Sequence, residues 1–240
     1  MKKFALVCGA SGEIGTAICK ELASQGWSLY MHYHKTSIHE LCSTLAAEFK
    51  EQEFIPVQAD FTTQKAATHL ASQLFALQAV VFANGQSFYG LLEDTSDDQM
   101  QALWQVHVQT PMVILQQVAS KLRKHEISYC LFISSIWGAA GAAGEVVYSA
   151  VKGAQHSFVK AYAQEVAYNG IRVNAIAPGF IDTKMNSHLV EEERGQITDQ
   201  IPLQQLGTVD DVAKMCAFYM SGQADYVTGQ IIHLNGGWYI

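Results

Sequence analysis

Short apolar runs alternate with longer stretches in which apolar positions recur every three or four residues, from one end of the chain to the other. A short apolar run suits a strand buried on both faces and the longer spacing suits an amphipathic helix, so the alternation predicts βαβ units wound around a parallel sheet. Strands are expected near Phe4–Cys8, Ser28–Tyr33, Phe54–Gln58, Ala79–Ala83, Tyr129–Ser134, Arg172–Ala175 and Ile231–Leu234. Helices are expected at about Ile14–Gln25, Ser37–Lys50, Gln64–Phe75, Asp98–Lys121, Ser149–Tyr168 and Val209–Met220. Pro111 falls inside the fourth of these and, having no N–H to donate, should bend it there. No repeat, low-complexity tract or Pro/Ser-rich linker interrupts the series. The expectation is therefore one α/β domain over residues 1–240, a doubly wound parallel seven-stranded sheet with helices on both faces. The polar stretch Thr183–Ile201, with Glu191, Glu192 and Glu193, follows the Pro178-Gly179 break and is the candidate for a mobile lid.

The 240 residues are 49% hydrophobic and 15% charged, enough apolar material for one large core. A net charge of −7 would repel a polyanion, so neither nucleic acid nor an anionic membrane is an expected partner. The five cysteines, Cys8, Cys19, Cys42, Cys130 and Cys216, stand singly. That spacing suits neither a metal site nor a secreted disulfide framework, and they read as small buried hydrophobes in a reducing cytosol. The apolar run after Met1 ends at Gly9, too short for a signal segment or a membrane span. A cytoplasmic protein is expected.

Directly after the first strand come Gly9-Ala10-Ser11-Gly12-Glu13-Ile14-Gly15, opening a helix. Glycines let the backbone turn with positive φ and approach a phosphate closely, while the helix N-terminus offers N–H groups and the positive end of its dipole. At the junction of first strand and first helix such a turn marks a dinucleotide site; an ordinary tight turn is the alternative. The second strand ends in Tyr33-His34-Lys35, without the carboxylate that would hold the ribose hydroxyls of NAD(H). His34 and Lys35 would welcome a 2′-phosphate, which points to NADP(H), unless Lys35 is only a solvated loop cation.

Tyr148 and Lys152 lie one helical turn apart, which puts phenol and ammonium on one face. A nearby ammonium should lower the phenol pKa toward the working pH, so that Tyr148 can act as an acid toward a carbonyl oxygen. Ser135 closes an apolar strand at the carboxyl edge, where open α/β sheets hold ligands, and would donate to the same oxygen. A packed tyrosine beside a surface lysine is the bland alternative.

Together these residues resemble the short-chain dehydrogenase/reductase family over essentially the whole chain, and the resemblance implies a Rossmann-type fold, NADP(H) and an oxidoreductase acting on a ketone or alcohol. It assigns adenine contacts to Asp60-Phe61 and the nicotinamide carboxamide to Pro178-Gly179 with Ile181 and Thr183. Tyr226–Gln230 and Asn235–Trp238 resemble the 3-oxoacyl-acyl-carrier-protein reductase branch. Ser134–Gly138 and Lys152–Lys160 are similar to reductases assigned to 5-aminopentanone groups on elongation factor P. In the family the helices corresponding to Asp98–Lys121 and Tyr148–Tyr168 pair across a two-fold axis, implying a homotetramer or homodimer.

Three positions depart from the family pattern. Glu13 replaces the second glycine of the phosphate turn, and its carboxylate competes with a pyrophosphate for the same donors. The loop after the fourth strand reads Phe82-Ala83-Asn84-Gly85, keeping the glycine but shifting an asparagine, with its cofactor role expected to run through the backbone. His107 stands where the family has its catalytic asparagine. An imidazole there could pass a proton toward Lys152 in a pH-dependent way, or be a satisfied core histidine. The substrate stays open between a small or carrier-protein-bound oxoacyl group, met by the cations Lys121, Arg123 and Lys124, and an amine-bearing ketone favoured by Glu191–Glu193. A non-catalytic dinucleotide sensor is the rival of a different class.

Overall fold

The computed structural model describes residues 2–184 and 190–239. Its seven strands are β1 (Lys3–Cys8), β2 (Trp27–Tyr33), β3 (Phe54–Gln58), β4 (Ala79–Phe82), β5 (Ser128–Ile133), β6 (Ile171–Pro178) and β7 (Ile231–Leu234). They form one parallel sheet in the order β3-β2-β1-β4-β5-β6-β7. The chain winds outward from β1 to β3, returns to lay β4 against β1, and winds outward the other way. The crevice above the carboxyl ends of β1 and β4 is therefore the topological switch point, where such sheets bind ligands.

Successive strand residues point to opposite faces, and the helices divide between them. Leu6, Val80 and Phe132 pack with α3 (Ala66–Ser72), α5 (Thr110–Leu122) and α7 (Val146–Val166). Val7, Val81 and Leu131 pack with α1 (Glu13–Ser24), α2 (His39–Glu48) and α9 (Val209–Tyr219). Burial on both faces is why these strands read as unbroken apolar runs. All five cysteines are buried free thiols, as their scatter predicted. Among the described residues no helix is long and apolar enough to cross a membrane.

The expected helix Asp98–Lys121 is in fact three pieces: α4 (Asp97–Trp104), a π-helical turn over Gln105–Gln109, and α5. Pro111 has no N–H for the carbonyls that precede it. Two distant side chains supply donors instead: Asn84 Nδ2 reaches the Val106 carbonyl at 2.8 Å, and Gln155 Nε2 reaches the His107 carbonyl at 2.7 Å. Helix α7 begins at Val146, ahead of the expected Ser149, so Tyr148 lies in its first turn. A short α6 (Trp137–Ala140) was not anticipated. The candidate lid contains a regular helix, α8 (Glu191–Gln200), which Val190 opens by donating its N–H to Glu193 at 3.0 Å. The lid's remaining stretch, 185–189, lies outside the described residues.

Candidate active site

The phosphate turn is shaped by close backbone approach. Gly9 has φ +80°, and a Cβ there would lie 2.7 Å from the Asn84 backbone, so only glycine lets the end of β1 meet the loop after β4. A side chain at Gly15 would likewise run into the Gly9 carbonyl. Gly12 caps α1, putting Glu13 and Ile14 in its first turn with their N–H groups at the turn. Gly9, Ser11, Gly12, His34, Asp60, Phe61, Asn84 and Gly85 line one cleft of about 330 Å³ above the switch point.

His32 lines this cleft too, and sequence reasoning missed it. Its Nδ1 accepts the Gly9 N–H at 3.1 Å and its Nε2 lies 3.0 Å from the Ala59 carbonyl. Because Nδ1 accepts, Nε2 carries the proton. The ring stacks on Phe61 at 4.0 Å, and burial pulls its pKa down to about 4, so it is a neutral strut under the turn. A histidine inside an otherwise apolar buried strand has to find partners for both nitrogens, which was the available signal.

At the rim, Asp60 Oδ1 accepts from the Thr62 N–H and hydroxyl at 3.0 and 2.7 Å, while Oδ2 faces His34 Nε2 at 3.6 Å. The Thr62 bonds, helped by His34 and Lys35, hold the Asp60 carboxyl below its ordinary pKa. Glu13 does not point at the phosphate turn: Oε2 accepts the Lys184 backbone N–H at 2.6 Å, bridging α1 to the segment after β6. That engagement removes part of the expected competition with a pyrophosphate. Pro178 ends β6 and Gly179 follows it, with the Gly179 N–H on the Leu234 carbonyl at 2.9 Å. Ile181 is buried and bridges Gly207, and Thr183 is half-buried beyond it.

Along the same crevice stand the groups suited to proton transfer. Ser135 follows β5, its Oγ accepts the Trp137 N–H at 3.2 Å, and its hydroxyl favours the ionised form of the nearby Tyr148 phenol. Lys152 is buried, donates to the Ile133 carbonyl at 3.0 Å, and places Nζ 5.4 Å from the Tyr148 ring centre. Burial lowers its pKa to about 7. His107 meets the edge of the Tyr148 ring with centres 5.6 Å apart. Its Nε2 lies 2.8 Å from the Gln86 carbonyl and 3.3 Å from the Gln86 backbone nitrogen, and its Nδ1 is buried without a partner.

Two electrostatic expectations are overturned. The phenol of Tyr148 is not made more acidic here: burial is the largest effect and raises its pKa, Glu145 adds to the rise, and Ser135 only partly opposes it. His107 is not poised near neutrality either, because burial and then the Lys152 charge push it down to about 3. The Asn84 side chain is taken up by the Val106 carbonyl, with Oδ1 buried without a partner. Finally, Lys121, Arg123 and Lys124 sit at the end of α5, just before β5 begins, whereas Ser135 follows that strand's far end. Six strand residues, about 20 Å, separate the cluster from the crevice.

A turn built for backbone contact and an N-terminal helix end at one cleft together fit a dinucleotide. A family model described as enoyl-(acyl carrier protein) reductase matches residues 9–239. An uncharacterized oxidoreductase of Bacillus subtilis, YmfI, is 40% identical with both chains fully covered. The 3-oxoacyl-acyl-carrier-protein reductase FabG of Staphylococcus epidermidis is 30% identical, again over all of both chains. Among solved structures, a blue fluorescent protein from a metagenomic library in complex with NADPH superposes with a TM-score of 0.91 at 28% identity, covering 99% of this chain and 98% of that one. YwfH, an NADPH-dependent reductase involved in bacilysin biosynthesis, superposes at 0.92 over 100% and 99% of the two chains; at 23% identity it speaks for the fold alone.

Proposed function

The chain belongs to the short-chain dehydrogenase/reductase family, and from that premise we propose that it reduces a ketone to an alcohol with NADPH, on a substrate of the 3-oxoacyl thioester kind. The observation that carries this reading is the convergence of Ser135, Tyr148 and Lys152 on one another past the carboxyl end of β5, the same edge of the sheet at which β1 runs into the phosphate turn. The cofactor's diphosphate would rest on Gly9–Gly15 and the start of α1, its adenine end on Asp60 and Phe61, its 2′-phosphate near His34 and Lys35, and its nicotinamide end along Pro178, Gly179, Ile181 and Thr183. NADPH, when bound, supplies the hydride.

The residues supply the proton and the geometry. Ser135, with its lone pair engaged by the Trp137 N–H, turns its own proton toward the ketone oxygen. Tyr148 donates its proton to that oxygen as the carbon–oxygen double bond becomes a single bond. The high pKa that burial gives the phenol keeps it loaded at neutral pH. Lys152, with a pKa near 7, would return a proton to the phenol, and the His107 ring stands against the edge of the Tyr148 ring. Replacing Tyr148 with Phe is expected to lower kcat by about 10²–10⁴-fold with NADPH binding retained, measured by NADPH oxidation on acetoacetyl thioester and by fluorescence titration. Retained turnover would refute the assignment and favour a sensor.

A second reading, an amine-bearing ketone such as the 5-aminopentanone group on elongation factor P, draws on two observations. The Glu145 charge acts on the Tyr148 phenol, and Glu191–Glu193 open α8 beside the segment after β6. The basic cluster that would receive a carrier protein lies across the sheet from the crevice of the same chain. Comparing the acetoacetyl thioester with an aminoketone-bearing elongation factor P in one NADPH-oxidation assay separates the two.

A further inference from the structure

Each turnover of the proposed reduction draws one proton from solvent, yet the groups that handle it are buried. Lys152 is 3% exposed, with its amine held at the Ile133 carbonyl. His107 is fully buried with Nε2 against the Gln86 backbone, so that ring leads inward. A second direction runs along α7, where Tyr148, Lys152 and His156 stand four residues apart on one stripe of the helix. Helix side chains lean toward the N-terminus, so the His156 ring lies over the turn that begins at Lys152. Gly138 on α6 closes over both: a Cβ there would lie 2.7 Å from His156 Cε1 and 2.8 Å from the Lys152 backbone. His156 is 7% exposed, and its Nε2 is buried without a partner. An unpaired imidazole nitrogen costs free energy that a leucine in the same space would not, so packing alone does not account for a histidine. Beyond it stands His233. Ile231 packs with the α7 side of the sheet and Leu234 with the α9 side, so strand alternation turns His233 toward α7. Strand β7 is an edge of the sheet, and His233 is exposed there.

We propose that His156 and His233 form the proton inlet of this site, carrying protons from the surface at β7 to the amine of Lys152. The inference rests on the reductase reading and adds to it two residues that touch neither substrate nor cofactor. Tyr148 gives its proton to the ketone oxygen as hydride reaches the carbon, and the phenolate takes one from the Lys152 ammonium. The neutral amine is then refilled from one nitrogen of His156 while the other nitrogen accepts a proton from the His233 side, so one solvent proton enters for each NADPH oxidised. A relay of this kind needs a neutral ring, with a proton on one nitrogen and a lone pair on the other. Burial holds His156 in that state, with its pKa lowered to about 4. The titratable groups acting on it are His233 from β7 and Lys152 and Lys160 from α7, while α6, packed against it, carries none.

The test is NADPH oxidation by the purified full-length chain on acetoacetyl thioester, in light and heavy water and with NADPH carrying deuterium at the transferred position. H156L keeps the packing and removes both ring nitrogens. It is expected to lower kcat by about tenfold while KM for either substrate stays within about twofold. Because proton delivery becomes the slow step, the solvent isotope effect on kcat should rise and the effect of deuterated NADPH should shrink. H233Q should shift both isotope effects in the same directions with a smaller loss of kcat, and added imidazole, which can reach that exposed position, should restore it. A variant that lost only packing would raise KM or weaken NADPH binding and leave the isotope effects where they were; that result, or parent behaviour in H156L, overturns the inference and leaves the reductase reading standing. If H156L does not fold, H233Q decides, and isotope effects equal to the parent's overturn the inlet. A parent that oxidises no NADPH with any ketone overturns the reductase reading as well.

Discussion

Replacing Gln155 with Leu tests the account of the π-helical turn before α5. Leucine is close to glutamine in volume, so the packing around α7 is kept and the loss is polar. The His107 carbonyl loses its 2.7 Å donor and stays buried, which costs about 1–3 kcal/mol. Gln155 Oε1 is itself buried without a partner, and deleting it returns part of that loss. The expected net destabilisation is about 1–2 kcal/mol. The unpaired carbonyls arise from Pro111, so the two positions should be coupled. Pro111→Ala creates an N–H four residues after His107 and five after Val106, within reach of either carbonyl. In that background Gln155→Leu should cost no more than about 0.5 kcal/mol, a coupling of about 1 kcal/mol between residues far apart in sequence. Urea unfolding followed by far-UV circular dichroism, on all four proteins at one concentration, reads the cycle. Effects that add, with Gln155→Leu costing the same in both backgrounds, would refute the claim that the side chain substitutes for the missing proline donor.

The same turn shows where sequence reasoning stopped. The strands were legible because parallel strands buried on both faces are continuous apolar runs, and the doubly wound parallel arrangement followed from their alternation with helices. Tyr148 and Lys152 were legible because helical spacing alone puts them on one face. The π-helical turn was not, because proline in a helix announces a missing donor without saying what replaces it. The replacements, Asn84 and Gln155, come from the β4 loop and from α7, and only the fold brings them to the carbonyls. His32 was hidden for a related reason: its partners, Gly9 and Ala59, lie on the loops after β1 and β3. The pKa expectations failed because helical spacing fixes which groups are neighbours but not how deeply they are buried. For Tyr148, burial outweighs everything else.

Three further outcomes follow from burial and close packing. Gly138→Ala would put a Cβ 2.7 Å from His156 Cε1 and 2.8 Å from the Lys152 backbone, so it should lower stability by about 1–3 kcal/mol, read as a drop in Tm. Adding His156→Ala should recover only part of this, since the Lys152 backbone cannot move aside; full recovery would contradict the stated contact. Because His107 is neutral down to about pH 3, His107→Asn should lower kcat without moving the acid limb of its pH profile. A shift of that limb by more than about half a pH unit would show that the imidazole titrates during turnover. The last concerns Lys152, whose pKa falls from 10.5 to about 7 on burial. Between those values the unfolded chain holds a proton on this amine that the folded chain does not, so the group makes stability rise with pH across that window. Lys152→Met removes the amine and leaves the Ile133 carbonyl without its donor, a loss that does not depend on pH. The difference in unfolding free energy between parent and variant should therefore grow in the parent's favour by a few kcal/mol from about pH 7 to about pH 9.5. Tyrosines with raised pKa values act in the opposite direction only above that range, where the unfolded chain releases their protons first. A constant difference across the window would mean that Lys152 keeps its proton in the folded state, and the route by which it reloads Tyr148 at neutral pH would have to be abandoned.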